Sequence, residues 1–330
     1  MAREFRRPLT LDEFLVLLPE DGPASRGQML AWLQAHPEFQ PLVADMLEGL
    51  DDSGADPLRD ERRLRAIGYL RAATVLLETT LGPLRRWVCC VAVTGSTAYG
   101  EPGDGDDCDF LIVTRDGATW AFLGLAFLRL RLARLAGEGR ADPVWCFNYV
   151  VNDRSVRQDY SSSRGFLFAR EALMVRPLEG EEYYRGLLAT SDWLRAEAPR
   201  LFARWEQRGL PDRIPSPRPA GVGIRLLNAA AFPWVAGYLQ AVGLIRNARH
   251  RRAGDADSAF RTVTKPGRMT FLVAKFDRLR GIYAPASATH PGSGPISRAP
   301  AAAVPGPIAP ATAPPPPPSE APEGSGSPSG

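Results

Sequence analysis

Two short apolar runs, separated by a glycine-rich acidic loop, constrain the fold of this chain more than any other feature. The runs are "WVCCVAVT" (87–94) and "DFLIVT" (109–114), and both are rich in β-branched residues. Runs of this kind are typical of strands buried within a sheet. A helical pattern precedes them at 58–82, and another at 118–136 leads to a third strand candidate, "VWCFNYVV" (144–151). This order predicts an α/β fold, a sheet with flanking helices.

The chain divides into four stretches by composition and pattern. Residues 1–57 predict short helices that end in a linker, "DDSGADP" at 51–57. Residues 58–160 contain the strand candidates and form the predicted α/β core. Residues 161–283 are mainly helical in pattern, and we expect them to cover the core or to shape an acceptor site. Residues 284–330 are dominated by Pro, Ala, Gly and Ser, so a disordered tail is predicted because little apolar surface can offset its chain entropy.

The overall composition is that of a folded soluble protein without a strong global charge. Apolar residues make up 45% and charged residues 23% of the chain, and the formal net charge of +3 gives no specific signal for nucleic acid. The four cysteines lack the spacing of a metal site, so buried, reduced thiols are expected. The first residues contain no apolar core of the signal-peptide type, which predicts a cytoplasmic location.

The acids at the start of the second strand candidate suggest a positively charged partner. Asp107 and Asp109 stand two residues apart, so they share one face of the strand at about 6–7 Å. Two such carboxylates can hold a hard divalent cation. At the end of the first strand, Gly95 and Ser96 offer backbone N–H groups and a hydroxyl suited to phosphate. A triphosphate carrying Mg²⁺ would satisfy both, whereas a plain polar turn explains only the loop.

The joint pattern resembles the signature of the DNA polymerase β-type nucleotidyltransferase superfamily. Gly95-Ser96, ten intervening residues and then Asp107-x-Asp109 before an apolar strand match its Gly-Ser turn and Asp-x-Asp strand. The likeness covers about 64–151 and is greatest to a poorly characterised bacterial branch. It implies a small mixed sheet of nucleotidyltransferase type, with Gly95 and Ser96 binding the nucleotide and Asp107 and Asp109 ligating Mg²⁺ or Mn²⁺.

The resemblance also implies a reaction. An acceptor hydroxyl would attack the α-phosphorus of an NTP, with ATP as the expected donor, and pyrophosphate would leave. The acceptor is not identified by the sequence, because acceptor pockets in this superfamily lie outside the shared motif. The alternative is a catalytically inactive nucleotide-binding or scaffolding protein of the same fold.

The sequence lacks the third carboxylate of this pattern at the expected place. Members of the superfamily usually carry it on the next strand, where this chain has Asn148. An amide cannot accept the proton of the attacking hydroxyl. Asp153, at the end of that strand, is the first substitute for the catalytic acid, and Glu171 is the second.

The run Leu226–Ile245 is long and apolar enough to cross a membrane, and the basic string "RNARHRR" follows it. Asn228, Pro233 and Gln240 interrupt the run. A buried core helix is therefore predicted, and membrane association is the alternative.

Overall fold

The computed structural model describes residues 15–18, 22–37, 57–137, 143–254 and 260–273. All of them belong to the first of two units, Met1–Ala284, while the second unit, Pro285–Gly330, lies outside the described residues. The predicted linker, apart from its last residue, and the predicted disordered tail also lie outside them, so both stay predictions.

A six-stranded mixed sheet forms the centre of the described structure. Its strands are β1 (Val88–Thr94), β2 (Cys108–Thr114), β3 (Trp145–Asn152), β4 (Arg176–Glu179), β5 (Phe260–Lys265) and β6 (Arg268–Val273). The strand order across the sheet is β4-β1-β2-β3-β6-β5. β2 and β3 run parallel, and the other neighbouring pairs run antiparallel. The predicted α/β class is confirmed, and so are the three strands predicted in the centre of the chain.

Helices pack on both faces of this sheet, except the first helix, which packs with Leu15 in a small separate cluster. They are α1 (Arg26–Ala35), α2 (Pro57–Glu78), α3 (Gly95–Tyr99), α4 (Thr119–Leu135), α5 (Asp153–Tyr160), α6 (Phe166–Met174), α7 (Glu181–Ala189), α8 (Asp192–Glu197), α9 (Pro199–Glu206) and α10 (Val222–Arg252). A 3-10 turn, Gly82–Trp87, leads into β1. The helical patterns predicted at 58–82 and 118–136 are confirmed by α2 and α4.

Residues 161–283 supply half of the strands as well as helices. β4 pairs with β1, and β6 pairs with β3, so strands from this region flank the three central strands on both sides. A tight turn at Pro266-Gly267 joins β5 to β6. Helices make up most of the described part of 161–283, as predicted, but the prediction did not include the three strands by which this stretch completes the sheet.

The alternation of side chains along the strands divides the core into two clusters. Phe110 and Ile112 of β2 face a cluster that includes α2, α4 and α10, and we call this side the α4 face. Leu111 and Val113 face the helices from α5 to α9, and we call this side the site face. Both faces of β2 are buried, which explains why its sequence is continuously apolar rather than alternating.

α10 is not the buried core helix that the sequence predicted. Its buried residues are Asn228, Ala236, Leu239 and Gly243, and in its most apolar 18-residue window only 11% of the residues are buried. By length and composition alone, α10 could cross a membrane. The prediction failed because α10 contacts α4 and β5 along one edge and leaves the rest of its circumference exposed.

Candidate functional site

Three strand ends meet on the site face where β2 begins. Asp109 pairs across the sheet with Thr94 of β1 and with Cys146 of β3, and Asp107 comes one residue before β2. A carboxylate oxygen of Asp107, one of Asp109 and the Sγ of Cys146 lie within 4.8 Å of one another. The structure thus brings together the two predicted metal ligands and adds a thiol from the neighbouring strand.

The bend at Gly95 lies directly against the Asp109 carboxylate. Gly95 has a φ of 67°, in the left-handed region that favours glycine. A Cβ added there would lie 2.8 Å from Oδ2 of Asp109, which is closer than real Cβ contacts. Ser96 follows in the first turn of α3. Glycine suits this position for two separate reasons: the backbone has a positive φ, and a side chain would displace the Asp109 carboxylate.

The Asp109 carboxyl is the most perturbed acid of the site. Burial is the largest cause that raises its pKa, to about 7, and the negative charge of Asp107 is the second. A hydrogen bond with the Cys146 thiol acts in the opposite direction, and the charge of Glu171 adds to the increase. A positive charge between the two aspartates would remove much of this penalty, since an opposite charge favours the ionised form.

The donors at this point fit a hard divalent cation. Carboxylate oxygens are the ligands that Mg²⁺ and Mn²⁺ prefer. Burial and the two neighbouring carboxylates raise the pKa of the Cys146 thiol, so it is uncharged at neutral pH. Thiols are soft ligands and suit Mg²⁺ poorly. Asp107 and Asp109 are accordingly the residues able to hold the cation, and Cys146 hydrogen-bonds to them.

Glu171 is the additional acid that the structure brings near Asp109. It lies on α6 and lines the same cavity as Thr94 and Asn148. Burial raises the pKa of Glu171, whereas a hydrogen bond from Tyr99 and the positive charge of Arg170 lower it. Glu171 was the second of the two predicted substitutes for the missing acid.

The first substitute, Asp153, follows the last residue of β3, at the opposite end of the strands from Asp109. β3 runs parallel to β2, so its first residues lie beside Asp109, whereas Asp153 follows its last residue and begins α5. The Asp153 carboxylate pairs with Arg157 at 2.8 Å and accepts a hydrogen bond from the Tyr183 hydroxyl. The assignment of Asp153 to the catalytic site is therefore corrected, because the length of β3 separates it from the two predicted metal ligands.

A bulge in β3 determines which side chains reach the site. Asp109 pairs with Cys146 and Leu111 pairs with Tyr149, so β3 contains one extra residue over this interval. Phe147 packs on the α4 face, while Asn148 and Tyr149 both line the cavity on the site face. Cys146, not Asn148, consequently lies directly opposite Asp109. Strict alternation in the sequence could not have revealed this arrangement.

A cavity of about 180 Å³ lies between the sheet and α6, and its lining includes Thr94 and Leu111 but neither Asp107 nor Asp109. Its wall combines polar and apolar side chains: Thr94, Leu111, Asn148, Tyr149, Tyr160, Arg164, Leu167, Phe168, Glu171, Ala172, Val175, Thr270, Phe271 and Leu272. The Tyr149 hydroxyl donates to Asp159, which also accepts from Arg268 at 2.6 Å and pairs with Arg164 at 3.3 Å. This buried network fixes one wall of the cavity, in which Arg164 is the cationic group.

The remaining acids of the loop have structural partners. The Asp106 carboxylate accepts a hydrogen bond of 2.8 Å from the backbone N–H of Gly103 and so closes a local turn. Asp104 pairs with Arg65 of α2 at 2.5 Å and is almost fully exposed. Both are therefore engaged within the loop or with α2, and they leave Asp107 as the loop residue that faces Asp109.

Comparisons with known proteins do not extend this description of the site. The acidic pair, the glycine bend, Glu171 and the adjoining cavity are the features from which function has to be inferred. Comparison of the chain with protein-family models, with curated proteins and with solved structures found no match.

Proposed function

We propose that this protein is a nucleotidyltransferase that uses a divalent cation to move a nucleoside monophosphate from an NTP to a hydroxyl acceptor. The observation that carries the proposal is the approach of Asp107 to Asp109, together with the contact between Asp109 and the bend at Gly95. A metal-chelated triphosphate requires anionic ligands and a close backbone at one place. The proposal includes a nucleotidyltransferase type for the sheet, in line with the resemblance of its sequence pattern.

Each residue of the bend and of the acidic pair has a distinct role in this proposal. Asp107 and Asp109 hold Mg²⁺ or Mn²⁺, which when bound supplies positive charge for the triphosphate and for the leaving pyrophosphate. Gly95 lets the backbone lie against Asp109 without a side chain between them. Ser96, the next residue, is assigned to the phosphate oxygens.

Glu171 is the group that we assign to proton removal. In the reaction, the acceptor oxygen forms a bond to the α-phosphorus, the bond to pyrophosphate breaks, and the hydroxyl proton passes to Glu171. Burial raises the pKa of Glu171, which makes its carboxylate a better proton acceptor near neutral pH. Because Glu171 lies on the cavity wall, we assign that cavity to the acceptor.

Binding of ATP in the presence of Mn²⁺ tests the site without knowledge of the acceptor. We expect calorimetry to detect binding to the wild-type chain and at least a tenfold weaker affinity in Asp107→Asn and in Asp109→Asn, since each variant loses an anionic ligand. Asp104→Asn is the matched control, because Asp104 belongs to the same loop but pairs with Arg65. Equal affinity in all four proteins would rule out the proposed metal site.

A catalytically inactive nucleotide-binding protein is the second candidate, and one observation favours it. The β3 residues on the site face nearest to Asp109 are Cys146 and Asn148, and neither can act as a carboxylate base. Glu171→Gln separates the candidates when pyrophosphate release is measured over a set of hydroxyl acceptors. An enzyme would lose release but keep its affinity for Mn²⁺-ATP, whereas a binding protein would show no release in either form.

A further inference from the structure

A continuous apolar strip of α10 faces the solvent. Its large exposed residues follow helical spacing over a length of about 35 Å. They are Val222, Leu226, Leu227, Trp234, Tyr238, Leu244 and Ile245. Trp234 is 81% exposed, which is an unusual position for the largest apolar side chain. A strip of this size on a soluble surface indicates a contact with another apolar phase or molecule.

α4 lies beside α10 and also has exposed leucines. The ring of Trp120 lies 5.0 Å from that of Phe232, and four residues later a Cβ at Gly124 would lie 3.3 Å from Val235, so α4 and α10 run side by side in the same direction. Leu128, Leu132 and Leu135 of α4 are also exposed. We refer to these three leucines and the exposed strip of α10 together as the α4–α10 surface.

All the charged side chains of α4 and α10 are positive. Neither helix contains an aspartate or a glutamate, and their cations are Arg129, Arg131, Arg134, Arg225, Arg246, Arg249, Arg251 and Arg252. The chain as a whole carries almost as many acids as bases, so this segregation is local. Arg252 lies about five helical turns after Trp234, at the same angle around α10. The apolar strip therefore ends in exposed cations on its own face.

We propose that the α4–α10 surface docks on a membrane that contains anionic lipids, with α10 lying in the plane of the interface. Apolar residues, an exposed tryptophan and tyrosine, and arginines without nearby acids on the helix are the chemistry that such an interface binds. A second copy of the chain would bring the same positive charge to the contact, so charge complementarity favours the lipid surface over a dimer.

The hydrogen bonds of α10 make it an interfacial helix rather than a membrane span. Asn228 accepts from the backbone N–H groups of Trp120 and Ala121 at 2.7 and 3.3 Å. Gln240 donates to the carbonyl of Thr262, and Asn247 exchanges hydrogen bonds with the backbone of Phe260. These bonds hold α10 against α4 and β5 along its length, so insertion across a bilayer would break them, whereas contact through the opposite face leaves them intact.

Vesicle flotation of the full chain tests this proposal. The vesicles contain phosphatidylcholine alone or with phosphatidylglycerol at about one lipid in three. We expect binding to the anionic vesicles, little binding to the neutral ones, and release at about 0.5 M salt because the electrostatic part is screened. The double variant Leu226→Glu with Leu244→Glu should bind at least tenfold less, since two leucines no longer enter the interface.

The control is the double variant Leu64→Glu with Val75→Glu on α2. Leu64 is 69% exposed, close to the 68% of Leu226 and the 67% of Leu244, so the introduced charges are comparable and only the location differs. Circular dichroism verifies that both variants fold, and the control should bind vesicles as the wild type does. No binding to anionic vesicles, or equal loss in both variants, overturns the proposal. Sedimentation could instead show a dimer that only the α10 variant converts to a monomer, with no vesicle binding. That result would assign the surface to a second copy of the chain and would also overturn the proposal.

Discussion

Gly95 is the residue at which backbone strain and site geometry coincide. We expect Gly95→Ala to lose about 1–2 kcal/mol of unfolding free energy, because alanine is unfavourable at a φ of 67°. The same variant should lose its affinity for Mn²⁺-ATP, since the new methyl group meets Oδ2 of Asp109. Urea denaturation and calorimetry measure the two effects.

Gly100 provides the control for this variant. It also has a positive φ, 87°, but a Cβ added there meets no atom within 4 Å. Gly100→Ala should therefore show a similar loss of stability with nucleotide affinity unchanged. If both variants kept their affinity, contact between the bend and Asp109 would have no role in binding.

The charge of Asp109 is expected to destabilise the cation-free protein. Its pKa is raised to about 7 in the folded state, so the folded chain binds a proton more readily than the unfolded chain, and stability falls as pH rises from about 4 through 7. At pH 8 with a chelator, Asp109→Asn should be more stable than the wild type by on the order of 2 kcal/mol. The difference should shrink at pH 5, where the wild-type carboxyl is protonated. A less stable variant at pH 8 would contradict this assignment of the charge.

The sequence pattern identified some residues of the site and missed others, and the difference has a physical reason. Asp107 and Asp109 could be placed on one face because a strand repeats every two residues. Cys146 was missed because its position opposite Asp109 depends on the pairing register and on the bulge in β3. The sequence ranked Asp153 before Glu171, because their distances from the site follow from the packing of helices and the direction of β3, which the pattern does not contain.

At the scale of elements, the side chain of Asn228 links α10 to the beginning of α4. Its Oδ1 accepts two backbone N–H groups from the first turn of α4, and the residue is buried. We expect Asn228→Ala to lose about 2 kcal/mol of unfolding free energy, because two buried donors would be left unsatisfied. Gln240→Ala should lose less, since position 240 is exposed and water can take the place of the lost amide. Urea denaturation of the two variants measures the difference, and equal losses would contradict the role of Asn228.

The elements that the sequence predicted well are those that alternate with helices and are buried on both sides. β1 and β2 are continuous apolar runs with clear boundaries, and β3 is mostly apolar with Asn148 in its interior. β4 was missed because it has four residues and contains a proline. β5 and β6 were missed although the Pro266-Gly267 turn between two alternating runs is typical of a hairpin. Length and hydropathy alone could not decide the burial of α10, because an exposed interfacial helix and a core helix have similar composition.

At the scale of the whole molecule, the β5–β6 hairpin is required to complete the sheet. A chain that ends at Gly254 lacks β6, which pairs with β3, and lacks Arg268, which pairs with the buried Asp159. We expect this chain to be insoluble or to unfold without cooperativity. A chain that ends at Ala284 retains all described residues, and its Tm should lie within about 3 °C of the full protein. Calorimetric scans of both chains check these outcomes, and cooperative unfolding of the shorter one would show that the hairpin is dispensable.

The strand order also determines when the complete sheet can form during translation. β1, β2 and β3 emerge first, but their outer partners, β4 and β6, are encoded later. More than a hundred residues separate the end of β3 from the start of β6, which corresponds to on the order of 10 s of translation. During that interval the unpaired hydrogen-bonding edge of β3 is open to other nascent chains. Expression at reduced temperature or with added chaperones should therefore improve the yield of this protein more than changes to its surface.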